Sequence, residues 1–164
     1  MGIFKNRKEK VSAGSVTGAE LLALLAKSMD ACDMKYRLDS AKNLIATVFQ
    51  GDDLDINIAI HTFEDKPLVA FDCPLEVEVG EEHEYVILKR INELNSNMHF
   101  GEITLEDGRV WYRYHYSVLP KFDPDNFLSI LRMVVNTIDD SDGDMEKLVK
   151  EGASFSKVPL GMYF

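Results

Sequence analysis

Hydrophobic residues along this chain follow two alternating periods. Leu21, Leu22, Leu25 and Met29 recur at helical spacing, with Leu24 widening the stripe, and the spacing predicts a helix over 17–31. Thr17 followed by Glu20 forms a T-x-x-E capping box ahead of that run. The period then falls to two. Lys42–Gln50 reads as a strand and Gly51-Asp52 as a turn. Leu54, Ile56, Ile58 and Ile60 alternate with polar or small residues, the pattern of a strand with one face buried and one wet. After an Asp65-Lys66-Pro67 turn, Val69, Phe71 and Cys73 alternate. Pro74 interrupts the run, and Leu75, Val77 and Val79 resume it. A proline at that place implies an edge strand or a bulge.

Helical spacing returns with Ile87, Ile91, Leu94 and Met98, behind acids at Glu81 and Glu82 that suit a helix N-terminus. Two strands follow, folded back on Asp107-Gly108. Asp-Gly between alternating residues is a strong hairpin signal, because both central residues of a type I′ turn need positive φ. That turn pairs Glu106 with Arg109 and Glu102 with Arg113, so opposite charges face each other on one side. Ile103, Leu105, Val110, Tyr112 and Tyr114 occupy the other side. Asp123-Pro124 then opens a last helix, Asp as N-cap and Pro at the first helical position, with Phe127, Ile130, Leu131, Val134 and Ile138 as its inner face. A bend or pause is expected at Gly143 before Met145–Lys150.

The resulting order is α-β-β-β-α-β-β-α. It predicts an α+β fold with one antiparallel-rich sheet of five strands and the helices on one face. The division expected is a flexible basic tail over 1–16, one domain over 17–150 and an apolar tail over 151–164. Phe155, Val158, Leu160, Met162, Tyr163 and Phe164 make that last segment poor in polar residues, and Pro159 and Gly161 oppose a helix. An extended segment packed in an apolar groove, of its own domain or of a neighbouring copy, is the expectation.

Lys and Arg number 18 against 28 Asp and Glu, a net charge of −10. An acidic surface repels phosphate backbones, so nucleic acid is not an expected partner. No apolar run approaches the roughly 20 residues that span a bilayer, and the basic start lacks the apolar core of a secretory signal, so neither membrane nor export is expected. Cys32 and Cys73 have no CxxC context and read as buried, inert thiols.

Ile91-Asn92-Glu93-Leu94-Asn95 and Gly101–Tyr116 carry a resemblance. Through Asn92, Leu94, Asn95, Gly101 and Gly108, and through the element order, residues 17 to 150 resemble the YbjN-like family, known as bacterial sensory transduction regulators. That family is similar in fold to type III secretion chaperones. The resemblance implies a small, acidic, cytosolic and commonly dimeric protein that binds extended polypeptide, and it supplies no catalytic motif.

The residues agree with that absence. There is no GxSxG, Walker loop or GxGxxG. His61, His83, His99 and His115 show no HExxH or HxH spacing, so no metal or cofactor is expected. Asp139–Leu148, DDSDGDMEKL, hints at a calcium loop. Setting Gly143 at the sixth position puts Ile138 and Val149 where carboxylates belong, so it reads as a solvated acidic helix break. Asn92 and Asn95 share a helix face and read as structural, capping the helix or bonding an adjacent strand.

Trp111 and Arg113 alternate with His115 beside Glu102 and Thr104, the composition of an interaction surface. The expected function is a non-enzymatic, cytoplasmic, homodimeric domain that binds a protein or peptide. Its contacts are placed at Trp111, Arg113 and Glu102, and at the Leu75–Val79 edge through Leu75 and Val77. Two alternatives fit the same residues. One is an acidic immunity-type inhibitor of a basic toxin, and the other is a small-molecule sensor.

Overall fold

Pattern and structure agree first at the core stripes. The computed structural model describes residues 18–52 and 54–151. The basic tail, Thr17 of the capping box and the apolar segment beyond Glu151 lie outside the described residues.

Helix α1 covers Gly18–Asp30, and Leu21, Leu22, Leu25 and Met29 are all at or below 2 % exposure. A short strand β1 (Arg37–Asp39) and a 3-10 turn at Ser40–Lys42 precede β2 (Leu44–Gln50), β3 (Asp55–Phe63) and β4 (Lys66–Glu78). A second 3-10 turn (Glu81–His83) leads into α2 (Glu84–Asn97). Strands β5 (Glu102–Glu106) and β6 (Arg109–Ser117) form the hairpin, and α3 runs over Pro124–Glu151.

The sheet is antiparallel in the order β1-β2-β3-β4-β6-β5. Among the described residues it has six strands, where the sequence predicts five. The extra strand is β1, three residues too short and too polar to show a period. The strand residues buried against the helices share one parity: Ile45, Ile56, Ile58, Ile60, Val69, Phe71, Cys73, Ile103, Val110 and Tyr112. They join the stripes of α1, α2 and α3 in one core, so the helices lie on one face of the sheet.

The hairpin forms in the predicted register. Asp107 (φ 51°) and Gly108 (φ 72°) make the turn, Glu102 stands opposite Arg113, and Glu106 stands opposite Arg109. Asp123 caps α3 as expected, its Oδ1 accepting from the Asp125 N–H at 3.0 Å.

Other expectations are corrected. Helix α3 does not pause at Gly143 but continues for 28 residues. Ile138, Ser141 and Met145 keep its buried stripe in phase, with Met145 fully buried. A helical glycine costs about 1 kcal/mol, and burying a methionine recovers about 1.5–3 kcal/mol, so the helix carries through. The acidic segment is therefore helix, and Asp139 does structural work: its Oδ1 accepts from the Asp52 N–H at 2.7 Å and ties the β2–β3 turn to α3. The thiols also differ from expectation. Cys73 is buried and its pKa is pushed up by desolvation, but Cys32 is exposed.

Asn95 behaves as the structural reading requires. Its Nδ2 donates to the Ile103 carbonyl and its Oδ1 accepts from the Ile103 N–H, both at 2.9 Å. One side-chain amide thus mimics a neighbouring strand along the outer edge of β5 and fixes α2 beside it. Gly101, at φ 73°, is pressed against the same unit, and a Cβ there would lie 2.5 Å from the Tyr112 hydroxyl oxygen.

Two outcomes follow from these contacts. Asn95→Ala strips both partners from a part-buried backbone amide and should destabilise the fold by about 1–3 kcal/mol, read as a lower denaturation midpoint with unchanged slope; a loss within error would show that water replaces the side chain. Gly101→Ala combines a left-handed φ with a clash and should cost more than Gly80→Ala, where φ is extended, in the same measurement.

Candidate binding face

The second parity of the sheet forms a face that the helices leave open. Across it run Ala46, Ala59, Asp72, Arg113 and Glu102 in one paired row, and beside it the paired stretches Val48–Asn57 and Pro74–Trp111–Thr104. Val48 is 58 % exposed, and Ala46, Asn57, Ala59, Pro74, Trp111 and Arg113 are half-buried.

Pro74 gives this face its relief. Strands β3 and β4 pair only between Ala59–Asp72 and Phe63–Lys66. Beyond Asp72, β4 stays with β6 and β3 stays with β2, and the two diverge. Pro74 has no N–H to offer a neighbour, and the register between β4 and β6 shifts between Pro74 and Glu78. The proline therefore marks a bulge in an interior strand, the second of the two readings the sequence allowed.

A groove of about 600 Å³ fills the split, lined by Asn57, Pro74, Leu75, Val77, Glu78 and Arg109. A second, of about 570 Å³, continues from Asn57 and Pro74 across Ala46, Val48 and Ala59 toward Tyr36 and Arg37 of the opposite edge. The shared residues make the two continuous.

Charge on this face is organised around Arg113. Its register partner is Glu102, but its hydrogen bonds go elsewhere. Nε donates to Asp72 Oδ1 at 3.2 Å, Nη2 donates to Glu106 Oε2 at 2.9 Å, and Nη1 donates to Glu106 Oε1. The diagonal reach to Glu106 carries the guanidinium over the Trp111 ring, 5.6 Å from its centroid. Asp72 also receives His61, whose Nε2 lies 3.5 Å from Oδ2. The bidentate hydrogen bonds from Arg113 hold the Glu106 carboxyl below the ordinary carboxylate range.

Trp111, Arg113 and Glu102 thus stand together on the open face, as their alternation predicts. Leu75 and Val77 do not join them. Their side chains are 5 % and 3 % exposed and belong to the core. Buried as they are, both still border the groove of the split, beside Pro74 and Glu78. Sequence reasoning missed Asn57, Ala59 and Asp72 as groove residues. The polar alternation of β3 marked their face, but only the pairing of β3 with β4 shows which of them border the split.

Among the described residues, no group of three His, Cys, Asp or Glu side chains is arranged to hold a metal ion, and no helix is long and apolar enough to cross a membrane.

The solved structures most like this one include YbjN from E. coli, a candidate transcription regulator. It matches with a TM-score of 0.58 and 12 % identity over 80 % of this chain and 93 % of that one. The ExsC–ExsE complex supplies a second, with a TM-score of 0.57 and 14 % identity over 80 % and 95 %. No curated protein sequence matches the chain. At the level of family models, residues 56–155 match the one described as the type III secretion (YopN, CesT) and YbjN peptide-binding chaperone 1. The matched segment takes in the groove of the split, the Asn95 clamp and the Trp111–Arg113 pair, and the chain belongs to that family of peptide-binding chaperones.

Proposed function

We propose that this domain is a non-enzymatic adaptor that holds an extended, apolar segment of a partner protein along the open sheet face, working in the cytoplasm as a homodimer. The observation that carries the reading is the continuous groove across a face that no helix among the described residues covers. One stretch of it is bordered by strand backbone that β3 and β4 do not give to each other. Strand addition supplies affinity through main-chain hydrogen bonds, and side chains on alternate positions supply specificity. Trp111 and Arg113 are the anchor pair, an aromatic held in place by a guanidinium that is itself held by two carboxylates. Glu102, on the outermost strand, is a rim charge. The family description and the presence of ExsC in a complex with ExsE support the same kind of role.

The net charge of −10 favours a second reading, an acidic inhibitor of a basic partner. The two differ in their response to salt. Inhibition by charge steering weakens steeply with ionic strength, whereas a segment held by apolar contact and main-chain bonds does not.

Full-length protein used as bait in native lysate, washed at low and at high salt, is expected to retain the same partner in both washes. Loss of the partner at high salt would favour the inhibitor. With that partner, Trp111→Ala should weaken binding by about thirtyfold, the effect of a hot-spot residue worth about 2 kcal/mol. Glu102→Ala should change it by less than about threefold, as a rim position does. Equal effects of the two would remove Trp111 from the anchor role. Light scattering should give twice the 18.6 kDa chain mass; a single-chain mass at all concentrations would refute the dimer.

A further inference from the structure

We propose that the segment held on the open face carries an acidic side chain at one end, seated at Lys35 and Arg37, and that about four apolar residues run from it toward Pro74. The inference rests on the groove reading and adds the charge and the placement of the occupant.

The groove across Ala46, Val48, Ala59 and Pro74 has an apolar floor and charge at one end. Among the described residues, Lys35 and Arg37 are the charged side chains of its lining, and both are exposed. Their backbone is fixed. The Lys35 carbonyl accepts from Thr47 Oγ1 at 2.8 Å, and Arg37 pairs with Ala46 across the ladder. Two acids of the same segment are engaged elsewhere. Asp30 accepts from the Tyr36 hydroxyl at 2.8 Å, and Asp39 lies 3.8 Å from Lys42 Nζ. Asp33 belongs to that segment as well. Among the described residues, neither Lys35 nor Arg37 makes an ion pair with any acid. The split beside Pro74 differs. Glu78 and Arg109 line it together and stand opposite each other in the ladder, so that end offers both signs and selects neither.

Magnitudes favour this local charge over the global one. A net charge of −10 attracts basic ligands from a distance. At physiological ionic strength that field decays over about 8 Å, whereas a carboxylate seated in the groove meets two cations at contact. Three strand spacings of about 4.8 Å separate β1 from β4, a span that about four extended residues cover. Exposed ion pairs are weak singly. The cationic end therefore selects and orients the segment, and the apolar floor supplies most of the binding.

Equilibrium dialysis of the full-length protein against three pools of short synthetic peptides tests it. Each pool has blocked termini, a mixed Ala, Val, Leu and Thr middle, and one residue, Asp, Ser or Lys, at both ends. The Asp-ended pool should bind about threefold more tightly than the Ser-ended pool and about tenfold more tightly than the Lys-ended pool. The Lys35→Glu, Arg37→Glu variant should invert that order. Where this reversal lowers the unfolding midpoint, Lys35→Gln, Arg37→Gln replaces it and should bring the Asp-ended and Lys-ended pools within about twofold of each other. Equal binding of the three pools by the parent overturns the inference and leaves the groove reading standing. Tightest binding of the Lys-ended pool overturns it too, as does an Asp preference that survives in the variants. Binding of no pool removes the groove reading and this inference with it.

Discussion

Strand β4 has to serve two neighbours over thirteen residues, and Pro74 stops it serving both along its whole length. Up to Asp72 it lies between β3 and β6 as an ordinary interior strand. At Pro74 the donor is missing, the register with β6 slips, and β3 leaves with β2. The core does not register the change. Leu75, Val77 and Val79 continue the buried row that Val69, Phe71 and Cys73 begin. The disruption is therefore confined to hydrogen bonding in the plane of the sheet. The far end of β4 is held by other means, with the Val79 N–H donating to the Gly108 carbonyl at 2.8 Å. A strand held to β6 and its turn at the far end, and released from β3 beyond Asp72, produces a groove without loosening the core.

The open face is polar by composition and still ordered, because its charges are used locally. Arg113 could have stayed with Glu102, its partner across the ladder. It reaches instead along β5 to Glu106, where two parallel hydrogen bonds are available, and back to Asp72 on β4. Bidentate geometry is worth more than proximity in register. The choice leaves Glu102 without that partner and lays the guanidinium across Trp111. A tryptophan fixed in this way keeps its apolar surface at little further cost in conformational entropy, which makes it suited to contact.

Elements with a period or a turn signature were legible in the sequence. The Leu stripe of α1, the Ile row of β3, the Asp123-Pro124 start of α3 and the hairpin register all came from spacing that each segment carries within itself. What was lost depends on contacts between segments. Strand β1 has too few residues to show a period and exists because β2 offers it an edge. The continuation of α3 through Gly143 depends on a core that receives Met145. Arg113 was paired correctly in register and wrongly in contact, because register follows from backbone and the ion pair follows from side-chain reach. Of the candidate site, Trp111, Arg113 and Glu102 were legible as a face. The burial of Leu75 and Val77 was not legible, because an interrupted run looks the same whether proline ends the burial or only the pairing.

These features bear on where the sheet can accept another chain. An exposed strand edge invites pairing, and folded proteins restrict it. Here the β5 edge is answered by Asn95, which takes both polar groups of Ile103. The β1 edge is three residues long, begins and ends on Arg37 and Asp39 and follows Lys35, the short charged form that discourages indiscriminate pairing. Inside the sheet, β3 and β4 stop pairing with each other beyond Ala59 and Asp72, beside Pro74. A segment entering there meets a wall on either side and cannot recruit further strands. Main-chain recognition is thereby separated from open-ended aggregation, and that separation is what a protein built to hold extended polypeptide requires.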